Sequence, residues 1–330
     1  MSESPNRPAE DPPADASRSG GRPPAEVLVI GGAGFIGSHL VERLLAAAVS
    51  VDVIDDLSSG SLANLSSARE TARINGGDLR IHTIDASAPE VRDLVTLRRP
   101  KHIFHLALLP PGRTDPTALG RSFTSTLTVL EAARQASVSK VVVLLPATAM
   151  HGYPSSRDLP AKEGEIVPRG VRGVVAKAIV DLLTLYREQH GIEFTALAAS
   201  SVYGPRQHPK RGVVAALIDA ASRGEPARLT GDGRQSRDFV YVDDVVDALI
   251  RTRERGSGLV VNVGTGVQTT LRDLAAIVAR SGPAPTFVAA RPDELARFSV
   301  SPVRARIHLG WASWTLLPDG ITATRNPPTD

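Results

Sequence analysis

Val27-Leu-Val-Ile-Gly-Gly-Ala-Gly-Phe-Ile-Gly37 decides the fold. Four apolar residues run into Gly31-x-x-Gly34-x-x-Gly37, and an amphipathic stretch from Ile36 to Ala47 follows. The pattern reads as strand, tight turn, helix. Glycine is required there because the backbone must turn sharply and leave room for a phosphate. The helix N-terminus behind the turn offers unpaired N–H donors and the positive end of its dipole. A glycine motif alone is weak evidence; its strand–helix context strengthens it.

The next apolar run, Val51-Asp-Val-Ile54, ends at Asp55. A carboxylate at that point accepts hydrogen bonds from both hydroxyls of an adenosine ribose and repels a 2′-phosphate. The expected cofactor is therefore NADH or NADPH, with Asp55 leaning to NADH. Asp56 follows in place of an arginine, and Ser58, Ser59 and Gly60 shape a pocket in which dual use stays open.

Strand-like runs continue at residues 81–84, 102–106, 141–145, 194–198 and 259–263, with helical patterns between them at 121–136 and 174–190. This alternation implies right-handed crossovers and an α/β fold, a Rossmann-type doubly wound parallel sheet. Spacing loosens after Val202, so a smaller, interleaved C-terminal substrate lobe is expected. The division reads as 1–24, a disordered tail; 25–204, a dinucleotide-binding domain to which 239–266 returns; and 205–238 with 267–330, the substrate lobe. The tail after Pro318 reads as frayed.

Composition narrows the function. The 330 residues carry a net charge of +3, and the basic residues are scattered, which argues against a nucleic-acid footprint. There is no cysteine, so a disulfide scaffold, a thiolate metal site and a cysteine nucleophile are ruled out. No apolar run approaches the roughly 20 residues that span a bilayer. A cytoplasmic location is expected, with no metal and no membrane partner.

Further pieces stand in order: Ile103-Phe-His-Leu-Ala107, Ser201-Val-Tyr-Gly-Pro205, the run Gly231 to Asp244, and Asn262-Val-Gly-Thr-Gly266. With the glycine loop, they resemble the extended short-chain dehydrogenase/reductase family, which includes nucleotide-sugar epimerases and dehydratases. The resemblance covers residues 26 to 317. It implies that Gly31, Gly34, Phe35, Ile36, Gly37, Asp55, Ser58, Ser59 and Gly60 hold the cofactor. It also implies that Asp85 and Ala86 flank the adenine, that Leu106 and Ala107 line the trench, and that Lys177 reaches the nicotinamide ribose. A homodimer through the helices at 121–136 and 174–186 would resemble the family.

The resemblance also implies a tyrosine four residues before the helical lysine and a serine after the preceding strand. Here those positions are Gly173 and Ala147. None of the four tyrosines begins a Tyr-x-x-x-Lys. Thr148 stands beside Ala147 as a candidate carbonyl-binding hydroxyl, or as a group bonded to its own backbone. His151 is a candidate donor or a surface histidine. Ala147, His151, Gly173, Ser200 and Ser201 are the candidate substrate contacts, and Thr148 and Lys177 the candidate catalytic residues. Arg237 and Arg291 stand where epimerases clamp a diphosphate, or pair with acidic neighbours such as Asp238.

A ketone reduction without a protein acid needs a substrate that supplies the proton. A phenol beside an aryl ketone does so. The leading expectation is an NAD(P)H-dependent ketoreductase acting on an angucyclinone-type aromatic polyketide, as in atypical family members that tailor antibiotics. The alternatives are a nucleotide-sugar epimerase or dehydratase with a displaced acid, and a non-catalytic dinucleotide-binding protein.

Overall fold

A computed structural model describes residues 26–168, 170–279, 283–290 and 294–327. The expected tail at 1–24 lies outside the described residues. Seven strands form one parallel sheet: β1 (Val27–Ile30), β2 (Val51–Ile54), β3 (Leu79–His82), β4 (His102–His105), β5 (Lys140–Pro146), β6 (Glu193–Ala199) and the strand Leu259–Val263. Their spatial order is 259–263, β6, β5, β4, β1, β2, β3. The chain therefore winds outward from β1 to β3, then returns to the other side of β1 at β4. That reversal opens a crevice beyond the carboxyl ends of β1 and β4, where doubly wound sheets bind ligands. The register brings those ends level: Ile30 pairs with Ile54 on one side and His105 on the other.

All four residues of β1 are buried. Val27 and Val29 pack with Leu40, Leu44 and Leu45 of α1 (Phe35–Ala46). Leu28 and Ile30 pack on the opposite face with α3 (Glu90–Arg98), α4 (Pro116–Ala136) and α6 (Gly170–His190). Burial on both faces is why β1 reads as an unbroken apolar run.

Three boundaries differ from the sequence reading. β3 runs from Leu79 to His82, two residues earlier than expected; the chain then folds tightly, with Ile84 N donating to His82 O at 3.1 Å. α4 begins at Pro116, because Asp115 caps it by accepting from Ala118 N at 3.0 Å and proline suits the first helical turn. Among the described residues, the stretch after Pro318 is not frayed. Leu317–Arg325 is a helix docked on the body, with Ile321 buried and Gly320 so close to Tyr203 that a Cβ would stand 2.2 Å from the phenol oxygen.

In the region expected to form the smaller lobe, a helix at Val213–Ser222 is followed by two strand pairs, 228–230 with 286–288 and 236–237 with 269–270. The helix Val303–Leu309 instead packs against the strand Leu259–Val263 and the helix Val242–Arg251 on the dinucleotide side. Among the described residues no helix is long and apolar enough to cross a membrane.

One buried ion pair ties the sheet to α3. Arg98 Nε donates to Asp52 Oδ2 at 2.6 Å, and the two side chains are 9% and 2% exposed. Removing the guanidinium strands a buried carboxylate, which costs about 3 kcal/mol or more. Arg98→Ala should therefore lower the midpoint of urea unfolding clearly. Arg73→Ala, which breaks an exposed pair with Glu70, should leave that midpoint essentially where it is in wild type.

Candidate active site

The crevice at the switch point is a cleft of about 420 Å³. Its floor is the glycine turn. Gly31 adopts a left-handed φ of +83° and donates its N–H to Ile54 O at 2.7 Å. A Cβ on Gly37 would lie 2.1 Å from Gly31 O, so α1 can start this close to β1 only without a side chain. Gly34 is the N-cap and offers no side-chain acceptor. The first N–H groups of α1 are left to an outside acceptor, as a pyrophosphate requires.

Asp55 follows β2 and is nearly buried. Its two oxygens accept from Ala33 N and Leu57 N, both at 2.9 Å. Burial pushes the Asp55 carboxyl above its ordinary value, and those N–H groups oppose the shift. Each oxygen keeps lone-pair capacity for a ribose hydroxyl. Gly60 seals the turn from behind: a Cβ there would meet Ala33 O at 2.8 Å and Asp55 Oδ1 at 3.0 Å. Asp85 accepts from Ser87 N at 2.8 Å and Ser87 Oγ at 2.7 Å. Burial works against the Asp85 charge, but Ser87 and Arg121 together hold its carboxyl below the usual range.

Gly31, Gly34, Phe35, Ile36, Gly37, Asp55, Ser58, Ser59, Asp85, Ala86, Leu106 and Ala107 all line this one cleft. Sequence reasoning missed Asn64 and Arg121. Asn64 Nδ2 donates to Ala33 O at 2.9 Å and braces the glycine turn. Arg121 stands 3.8 Å from Asp56 and 3.7 Å from Asp85, a cation over the acidic end. Their signal in the sequence was only polarity beside a helical pattern.

A second cavity of about 310 Å³ adjoins the first and shares Phe35, Leu106, Leu108, Leu144, Gln207 and Arg211 with it. Ser200 and Ser201 line it. The rest of its wall is largely apolar, with Leu109, Leu145, Val202, Val213 and Phe239.

The other expected site residues stand apart from both cavities. After β5, the short helix Ala147–His151 buries Ala147 and turns Thr148 outward, exposed. Lys177 Nζ reaches one turn along α6 to Asp181 at 2.6 Å instead of into the cleft. His151 is not a surface histidine: it is half-buried, its Nε2 2.7 Å from Asn262 Oδ1. Arg237 does not pair with Asp238. It donates to Ser236 O at 2.8 Å, while Asp238 accepts from Thr265 N, Gly266 N and Val300 N. Arg291 lies outside the described residues.

The fold and the cleft define a dinucleotide-binding α/β protein. Residues 27–264 match the model of the NAD dependent epimerase/dehydratase family, and the chain belongs to that family. It is 37% identical over 317 residues to a UDP-glucose 4-epimerase of Mycolicibacterium smegmatis, covering 90% of this chain and 96% of the relative. The crystal structure of a Thermotoga maritima UDP-glucose 4-epimerase with UDP-glucose aligns with a TM-score of 0.83 at 30% identity, over 91% of this chain and 97% of that one. A Thermus thermophilus UDP-glucose 4-epimerase in complex with NAD aligns with a TM-score of 0.80 at 31% identity, over the same 91% and 97%. The cofactor is thus NAD, the dinucleotide that the glycine turn and Asp55 fit.

Two outcomes follow. Asp55→Asn removes the charge and one of two main-chain anchors. A charge-assisted hydrogen bond is worth about 1.5–3 kcal/mol, so NADH affinity should fall roughly 10- to 100-fold. NADPH affinity should fall less, because the repulsion of its 2′-phosphate is relieved; calorimetric titration with both cofactors checks this. At Gly173 a Cβ would stand 3.0 Å from Pro168 Cα and 3.2 Å from Ala149 O. Gly173→Tyr should therefore displace the segment ahead of α6 and lower the melting temperature, without creating epimerase activity toward UDP-glucose. A folded, active variant would contradict that reading.

Proposed function

We propose that this chain is an NAD(P)H-dependent ketoreductase that reduces an aryl ketone flanked by a phenol, of the angucyclinone-type aromatic polyketide class. The observation that carries the reading is Gly173: four residues before Lys177 on α6 there is no side chain to hold or give a proton.

When bound, a reduced dinucleotide would supply a hydride to a carbonyl carbon. The protein's part is to bind and orient. The N-terminus of α1 receives the pyrophosphate and Asp55 the ribose. Lys177 would have to leave Asp181 to add a cation beside the nicotinamide ribose. In the adjoining cavity, Leu108, Leu144, Val202 and Phe239 offer flat apolar walls that suit fused rings and displace water from the carbonyl. Ser200 and Ser201 provide hydroxyls for polar groups on the ring edge.

General acid help is typically worth about 100- to 10,000-fold, roughly 3–5 kcal/mol. Neither Gly173 nor Ala147 can supply it. A phenol hydrogen-bonded to the ketone within one molecule can, because the donor is already in place. As negative charge builds on the carbonyl oxygen, the phenol proton moves to it, and the phenolate later regains a proton from water.

A second reading, a nucleotide-sugar epimerase or dehydratase with a displaced acid, draws its support from kinship with UDP-glucose 4-epimerases across nine-tenths of the chain. His151 is then the residue in question, held by Asn262. The readings separate cleanly. A ketoreductase should oxidise NADH or NADPH in the presence of a peri-hydroxy aryl ketone, and methylation of that hydroxyl should abolish turnover. Undiminished reduction of the methyl ether would overturn substrate-supplied protonation. Micromolar binding of UDP with no ketone reduction would favour the epimerase reading.

A further inference from the structure

The connection between β4 and α4, residues 106–115, contains no helix or strand, yet it walls both cavities. Leu108 and Pro111 face both, Pro110 and Arg113 the cofactor cleft, and Leu109 the apolar chamber. Its backbone is unusual for its sequence. Leu109 is buried with a left-handed φ of +45°, a conformation that a residue with a Cβ rarely adopts. Such a conformation persists only where the surroundings fix it.

The fixing group comes from about sixty residues away. Arg172, on the first turn of α6, donates from one guanidinium nitrogen to Pro110 O at 2.8 Å and Arg113 O at 2.7 Å, and from the other to Leu109 O at 2.7 Å. From the opposite side, Ser122 Oγ accepts from Leu109 N at 3.0 Å. Three carbonyl oxygens thus converge on one planar cation. A guanidinium carries several donors in a fixed fork and meets all three together, which a single ammonium on a shorter stem does not.

We propose that Arg172 is a positioning residue: by gripping the carbonyls of Leu109, Pro110 and Arg113 it sets the wall shared by the cofactor cleft and the apolar chamber, and so sets affinity for the dinucleotide. The inference rests on the cofactor cleft and, for the ketone, on the function proposed above.

The test uses the full chain and three forms: wild type, Arg172→Ala and Arg172→Lys. NADH binding is followed by fluorescence titration, and amide hydrogen exchange is read over residues 106–115. Arg172→Ala should bind NADH about ten-fold more weakly, equivalent to about 1.4 kcal/mol. Exchange should rise in 106–115 while β4 and the rest of α6 stay as in wild type. Millimolar methylguanidine should restore both readouts by filling the emptied cradle, and Arg172→Lys should fall between the two. Where Arg172→Ala does not fold, Arg172→Lys with and without methylguanidine carries the same comparison. NADH affinity within two-fold of wild type overturns the proposal. So does weakened binding with exchange raised throughout the protein and no recovery in methylguanidine. A wild type that binds NADH but reduces no ketone sinks the proposed function and leaves this comparison intact.

Discussion

Helix α1 begins directly over the end of β1, and it does so because nothing stands between Gly37 and the carbonyl of Gly31. That close approach brings the positive end of the helix to the crevice opened by the sheet's reversal. Asp55 depends on it as well: its anchor to Ala33 N exists only while the glycine turn is closed. Gly60 and Asn64 then brace the same turn from behind. A site for a dinucleotide thus follows from a handful of missing Cβ atoms and one carboxylate.

The cofactor half of the molecule was legible because its determinants are local. β1, β2 and the strand 259–263 announce themselves as apolar runs, and the glycines are defined by their neighbours in sequence. Helix starts were less so: Asp115 and Pro116 lie outside the apolar period of α4, and only their capping geometry shows that the helix begins there. The docked helix Leu317–Arg325 was misread because its anchor is Tyr203, more than a hundred residues away. His151 was misread for the same reason, since its partner Asn262 sits on a distant strand. The wall of the apolar chamber was illegible from local pattern altogether. A Pro-Pro-Gly loop has no period, and its shape is imposed by Arg172.

The substrate side sets kinship against chemistry. The chain shares its family and most of its length with UDP-glucose 4-epimerases, and four residues before Lys177 it carries Gly173. The segment ahead of α6 has closed over Gly173, with Pro168 and Ala149 in contact distance of where a side chain would start.

Tyr203 lines the apolar chamber with its ring and touches Leu317 O with its hydroxyl, while Gly320 lies against its far side. The closing helix is therefore a backing plate for the chamber. Shortening the chain ahead of Leu317 would open a hole behind Tyr203, so the helix Leu317–Arg325 shapes a cavity from which it is itself hidden.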